Sequence, residues 1–126
     1  MNLCRIIDQL ANDKAFAKIQ VTNDINPSVQ ADTCERTLKQ VLYNLLDHAT
    51  GYTNNKNIRI SAKTFHHIIL VQIKYLDPRQ GFDIKTNLAE IRNPVEHLGG
   101  CLYVNDSKID ETTISVTFLN HHYKVK

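Results

Sequence analysis

The stretch LKQVLYNLLDHATGYT, residues 38–53, predicts a long amphipathic helix that needs another layer to cover its apolar side. Its apolar residues recur three and four positions apart, as on one side of an α-helix, and they are Leu38, Val41, Leu42, Leu45, Leu46 and Ala49. Asp32 or Thr33 suits the N-cap, and Gly51 suits the end of the helix. Asn44 and His48 are four residues apart, so we expect them to be neighbours that face the same space.

Length and charge limit the classes of protein to consider. A chain of 126 residues predicts one domain. Its formal charge of +2 is too near neutral to indicate a nucleic acid or an anionic membrane as partner. The basic residues are scattered and the aromatic residues are not interleaved with them, which argues against a nucleic-acid module.

The cysteines predict a reducing compartment. Cys4, Cys34 and Cys101 are far apart and include no CxxC pair, so we interpret them as free thiols, with Cys101 a buried structural one. No apolar run is long enough to span a membrane, and the first residues lack the pattern of a signal peptide. We therefore expect a soluble cytoplasmic chain, or the cytoplasmic part of a membrane sensor protein, without direct membrane contact.

The first half of the chain predicts a helix and three strands besides the long helix. Residues 2–12 have helical spacing, and residues 18–24 alternate as in a strand that ends before Asn26-Pro27. Residues 57–63 and 67–76 are rich in Ile and Val and predict two strands, joined as a hairpin through residues 64–66.

The second half predicts one more helix and two more strands. Leu88, Ile91, Val95 and Leu98 suit a helix that Pro94 kinks or shortens and that Gly99-Gly100 closes. Residues 101–106 and 112–120 predict strands around a turn at 107–111, followed by a frayed tail.

The order of elements predicts the fold class. Pairs of strands separated by single helices favour a two-layer α+β sandwich, with one mixed sheet of about five strands and three helices on one face. We find no internal repeat and no low-complexity segment.

Three blocks of the sequence resemble one known family. Residues 40–53, QVLYNLLDHATGYT, resemble the N box of the GHKL superfamily, specifically the ATP-binding (HATPase_c-like) domain of sensor histidine kinases. Residues 69–82, ILVQIKYLDPRQGF, stand where that family has a strand ending in DxGxG. Residues 88–119, LAEIRNPVEHLGGCLYVNDSKIDETTISVTFL, are similar to its closing segment. The resemblance implies a Bergerat-like sandwich and a role in two-component signalling.

The same comparison locates the nucleotide pocket and its changes. The resemblance implies that Asn44 is retained, that His48 replaces the Mg²⁺-binding Asn, and that Asp77 and Gly81 remain from DxGxG. Arg79 replaces a glycine there, and Lys85, Thr86 and Asn87 stand where phosphate-binding glycines are expected. Only six residues, FDIKTN, separate Gly81 from Leu88, too few for the family's long ATP lid.

We interpret these changes as a degenerate pocket formed by Asn44, His48, Asp77, Arg79, Gly81, Lys85 and Asn87. The prediction is a histidine-kinase-like domain over residues 1–126, a fragment of a larger signalling protein, with no catalytic residue, no metal site and no cofactor. Its expected partner is a receiver domain, a kinase dimerisation domain or a second copy of itself.

Alternatives remain open at this stage. A divergent kinase domain would bind ATP and Mg²⁺ weakly and phosphorylate a partner's histidine, and a phosphotransfer protein would use this domain only to dock its receiver. For single residues, Asn44 and His48 also suit bonding to each other or to water, and Asp77 suits an ordinary turn. The pairs His66-His67 and His121-His122 suit surface positions, because adjacent strand residues point to opposite faces.

Overall fold

The long helix forms as predicted and provides most of the helical core. The computed structural model describes residues 1–53, 56–76, 88–108 and 111–121, and helix α2 spans Glu35–Tyr52. The six apolar residues predicted for its buried side are fully buried. Its ends differ from the prediction, because Cys34 is the N-cap, without a side-chain cap hydrogen bond, and the helix continues through Gly51.

Five strands form one mixed sheet in the order β1-β2-β3-β5-β4. Their bounds are Gln20–Asn23 for β1, Asn57–Phe65 for β2, Ile68–Leu76 for β3, Leu102–Lys108 for β4 and Glu111–Leu119 for β5. β1 and β2 are parallel, and the other neighbours are antiparallel. Because α2 connects two parallel neighbours, it must run in the opposite direction to both.

The remaining helices complete a second layer. Helix α1 spans Leu3–Ala11, a short 3-10 helix spans Lys14–Phe16, and α3 spans Ala89–His97 with Pro94 inside it. α2 contacts α1, α3 and β3, and α3 also contacts β5. Along β3 and β5, buried side chains alternate with partly buried or exposed ones, so the helices cover one face of the sheet. The predicted two-layer α+β sandwich, with helices on one face of a mixed sheet, is confirmed.

Both predicted strand turns are shorter than expected. Thr64 and Phe65 belong to β2, and only His66 and His67 connect it to β3. Likewise, β4 extends to Lys108 and β5 begins at Glu111, and these two residues are ladder partners. The sequence prediction ends these strands too early, at polar residues. Side chains on the uncovered face of a sheet can be polar without ending the strand. Of the predicted tail, residues 121–126, the structure describes only His121, and residues 122–126 lie outside the described residues.

Gly99 and Gly100 close α3 as the sequence predicts. Gly99 has a φ of 78°, and its N–H donates to the carbonyl of Glu96 at 3.0 Å. The N–H of Gly100 donates to the carbonyl of Val95 at 3.1 Å. This pair of hydrogen bonds is a Schellman motif, which satisfies the carbonyls left free at a helix end. The turn also brings the backbone of Gly100 directly against β5.

The two ends of the sheet are different. We define the basal end by Asn57, Leu76 and Glu111, and the apical end by the turn His66-His67 and by Leu119. α2 ends at the basal end, where the hydroxyl of Thr53 donates to the carbonyl of Asn57 at 2.9 Å. α3 ends at the apical end, where the N–H of Leu119 donates to the carbonyl of Leu98 at 3.0 Å.

Asn120 joins distant parts of the chain at the apical end. Its side-chain oxygen accepts from the N–H of Asp32 at 2.9 Å, and its amide donates to the carbonyl of Gln30 at 3.1 Å. Its own N–H donates to the carbonyl of His67 at 2.6 Å. Asp32 is therefore held by Asn120, just after β5, before α2 begins, which explains why it is not the cap of that helix.

We predict opposite effects on stability for two Gly→Ala substitutions. A Cβ at Gly100 would lie 1.5 Å from the carbonyl oxygen of Thr117, so Gly100→Ala should lower the free energy of unfolding by about 3 kcal/mol. A Cβ at Gly51 meets nothing within 4 Å, so Gly51→Ala in α2 should raise it by about 0.5 to 1 kcal/mol. Urea unfolding followed by circular dichroism measures both, and equal effects would contradict the close approach at Gly100.

Candidate functional site

α2 carries the two predicted site residues that the structure describes. Asn44 and His48 are both partly buried, one helical turn apart, and His48 is close to the basal end of α2. The Nε2 atom of His48 is buried. Within the described part of the chain, the side chain of Asn44 makes no hydrogen bond, so it does not bond to His48. Of the two ordinary interpretations for this pair, direct bonding between them is therefore wrong.

The other predicted pocket residues lie outside the described residues. These are Asp77, Arg79, Gly81, Lys85 and Asn87. The described chain stops at Leu76, the last residue of β3, and resumes at Leu88, which is fully buried before α3. Leu76 belongs to the same basal end as the last turn of α2. The five residues accordingly keep their roles as sequence predictions.

Two buried hydroxyl groups also lie at the basal end of the core. Tyr75 and Thr112 are opposite each other on β3 and β5, on the face that the helices cover. The hydroxyl oxygens of both residues are buried, and that of Thr112 has no hydrogen-bond partner among the described residues. With His48, they place buried polar atoms at the basal end of a core that is otherwise almost entirely apolar.

Sequence reasoning missed Thr112, although a signal for it existed. In residues 111–119, ETTISVTFL, alternate positions are buried, and the series is Thr112, Ile114, Val116 and Phe118. A polar residue that continues a buried apolar series predicts a buried hydroxyl. In the same way, Tyr75 is the polar residue at the basal end of the buried series of β3, after Ile69, Val71 and Ile73.

Two thiols lie away from the basal end. At the start of α2, the hydroxyl of Thr37 donates to the Sγ of Cys34 at 3.3 Å and lowers the pKa of this exposed thiol. On β4, the neighbouring thiol of Cys101 raises the pKa of Tyr103. Cys101 itself is exposed, so its prediction as a buried structural thiol is wrong. Leu102 is the residue that enters the core there, and the alternation along β4 leaves its neighbours outside.

The predicted surface histidines that the structure describes lie at the apical end of the sheet. His66, His67 and His121 are exposed, as predicted, and His122 lies outside the described residues. In the described ranges, no three His, Cys, Asp or Glu side chains come together to hold a metal ion. None of the helices described is both long and apolar enough to cross a membrane.

We predict that Thr112→Val stabilises the protein. Valine has a similar shape, and it removes a buried hydroxyl that lacks a partner in the described structure, so the free energy of unfolding should rise by about 1 kcal/mol.

Thr117→Val is the matched control on the same strand. The hydroxyl oxygen of Thr117 accepts a hydrogen bond from the N–H of Cys101 at 3.0 Å, so losing it should cost about 1 kcal/mol. Urea unfolding measures both variants, and a loss of stability in Thr112→Val would show that its hydroxyl is bonded in solution.

Comparison with known proteins identifies the fold. No protein-family model and no curated protein matches the chain in sequence. Among solved structures, the histidine kinase domain of the E. coli osmosensor EnvZ matches with a TM-score of 0.77 at 13% identity, covering 100% of this chain and 91% of that one.

Two more sensor kinases match equally well. The mycobacterial sensor histidine kinase MprB has a TM-score of 0.77 at 15% identity, and the match covers 95% of both chains. The Acinetobacter baumannii histidine kinase AdeS has a TM-score of 0.76 at 18% identity, covering 97% of this chain but only 66% of the AdeS chain. Together with the element order, these matches show that the chain has the fold of sensor histidine kinase catalytic domains.

Proposed function

We propose that this domain is a protein-interaction module of two-component signalling, part of a larger signalling protein, that does not use Mg²⁺-ATP. The observation that carries the proposal is His48, a partly buried imidazole on α2 at the position where the family resemblance expects a Mg²⁺-binding Asn. Retention of the fold without this ligand favours a role that depends on the surface of the domain.

The chemistry of the donor atoms supports this proposal. Mg²⁺ prefers oxygen ligands in nearly octahedral geometry, whereas imidazole nitrogen suits zinc, copper or iron. The Nε2 atom of His48 is buried, so the ring occupies interior volume. Of the two residues, only Asn44 offers an oxygen ligand, its amide oxygen. We infer that these two residues do not fit a Mg²⁺ ion.

Changes in the sequence after α2 also argue against binding of Mg²⁺-ATP. Arg79 adds a long cationic side chain where the resemblance expects glycine, and residues 85–87 lack phosphate-binding glycines. The six residues between Gly81 and Leu88 are too few for a long lid. Each change alone is one departure from the pattern, but all of them affect the same expected pocket.

A second candidate function is supported by the buried hydroxyl of Thr112 at the basal end. In a divergent ATP-binding domain, Thr112 would offer a hydrogen bond to a neutral heterocycle, and Asn44, Asp77, Gly81 and Lys85 would be the residues left for the nucleotide. Catalysis would then rest on positioning and electrostatic stabilisation of the transferred phosphoryl group. A structure of full-length ShkA in complex with AMPPNP has a similar fold, with a TM-score of 0.78 at 14% identity, covering 98% of this chain but only 31% of the ShkA chain.

We predict that the domain shows no Mg²⁺-dependent nucleotide binding. Calorimetric titration with ATP and ADP, with and without Mg²⁺, should give no dissociation constant below about 1 mM, which corresponds to about 4 kcal/mol of binding free energy. His48→Asn alone should not restore binding, because the changes at residues 79 and 85–87 remain. Circular dichroism of each sample provides the control for folding.

A clear result in the other direction would establish the second candidate. Micromolar binding that requires Mg²⁺, together with transfer of labelled phosphate from ATP to a kinase dimerisation domain, would contradict the interaction-module proposal. Binding restored by His48→Asn would show that this residue alone had closed the site.

A further inference from the structure

The face of the sheet that the helices leave uncovered has the composition of an interaction surface. None of its described side chains is buried. The large apolar side chains that are most exposed in the described structure all lie on it, and they are Phe65 at 53%, Leu76 at 39% and Tyr103 at 58%. Because all three lie on the same face, a partner that covers this face would bury them together.

These apolar residues are too far apart for a small ligand. Phe65 pairs with Ile68 at the apical end of β3, and Leu76 is at the basal end, eight residues farther along. At about 3.3 Å per residue, the two positions are about 26 Å apart. Tyr103 is on β4, two strands from β3. A surface of this extent matches a protein partner.

The charges of the same face select the partner. Arg59, Lys63 and Lys74 are on it, and Glu111 is the one carboxylate among the described side chains of its strands. The Nε of Arg59 is 3.2 Å from the carboxylate of Asp24, whereas Lys63 and Lys74 form no ion pair with described residues. Two copies packed face to face would bring these cations together, which is unfavourable.

A concave site brings two of the cations together. A cavity of about 510 Å³ opens at the basal half, with Arg59, Lys74 and the carboxylate of Glu111 in its lining beside Thr22 and Asn57. Arg59 and Lys74 are directly opposite each other on β2 and β3. The volume is within the usual range for pockets, so it can accept side chains of a partner. Two cations against the one carboxylate of Glu111 leave the lining with an excess of positive charge. With the hydroxyl and amide groups, this excess suits a carboxylate of the partner.

We propose that the uncovered face of the sheet docks an acidic protein surface, with carboxylates in the Arg59–Lys74 cavity and apolar side chains against Phe65, Leu76 and Tyr103. This inference rests on the proposed function, in which the domain acts through a protein partner, and it names the surface and the charge of that partner.

The test uses nuclear magnetic resonance of the ¹⁵N-labelled chain with two peptides of equal length. One alternates Glu with Tyr, and the other alternates Lys with Tyr. The Glu peptide should shift amide signals of β2, β3 and β5, and its affinity should fall as salt increases. The Lys peptide should shift none of them.

Paired charge variants locate the binding. Arg59→Gln with Lys74→Gln should weaken binding of the Glu peptide by about tenfold or more, because the cavity loses both cations. Lys14→Gln with Arg92→Gln removes the same charge from exposed residues in the helical layer, and it should change the affinity less than about twofold.

Several results would overturn the proposal. In the titrations, these results are no saturable shifts with the Glu peptide, shifts confined to α2 and α3, or equal binding of the Lys peptide. In sedimentation, the contradicting result is a dimer that Phe65→Ser abolishes. Neither candidate function assigns Arg59 or Lys74 to a nucleotide, so the paired charge variants test this face independently of the nucleotide titration. Mg²⁺-ATP binding would therefore end the proposed function without changing the peptide result.

Discussion

The burial of one side of α2 against the sheet is the constraint on which the rest of the structure depends. Its six core residues are fully buried, and a buried leucine contributes roughly 1.5 to 3 kcal/mol relative to an exposed one. Because β1 and β2 are parallel, the helix between them must return along the sheet and end where β2 begins. This direction, and not a specific polar contact, places His48 at the basal end beside the last residues of β3.

Much of the fold is predictable from the sequence, because local patterns agree with the final packing. The period of residues 38–49 gives α2 its buried side, the alternation in β3 and β5 gives their buried faces, and Gly99-Gly100 marks a real helix end. The wrong predictions have a different cause, which is contact between residues that are far apart in the sequence. Cys34, and not Asp32, caps α2 because Asp32 is held by Asn120, 88 residues away in sequence. No local window contains that contact.

The candidate site was predictable only where it lies on a regular element. Asn44 and His48 follow from helical spacing, so their shared position on α2 could be expected. Thr112 was harder to find, because its importance depends on which strand faces it, and Tyr75 is 37 positions away along the chain. Polar groups are well bonded around Asn120 at the apical end, whereas the buried hydroxyl of Thr112 at the basal end has no partner among the described residues. Local rules of polar satisfaction are most often broken at functional sites.

The contacts of Asn120 also bear on the order in which the chain can fold. Gln30 and Asp32 lie between β1 and α2, yet both form hydrogen bonds to the side chain of Asn120, which follows β5. During synthesis, α1, β1 and α2 leave the ribosome long before this partner exists, and contacts of such large sequence separation form slowly. The parallel pair β1–β2 also needs the whole of α2 between its strands. We therefore expect folding to finish with β5 and Asn120, when the last strand fixes the entry to the helix on which the core is built.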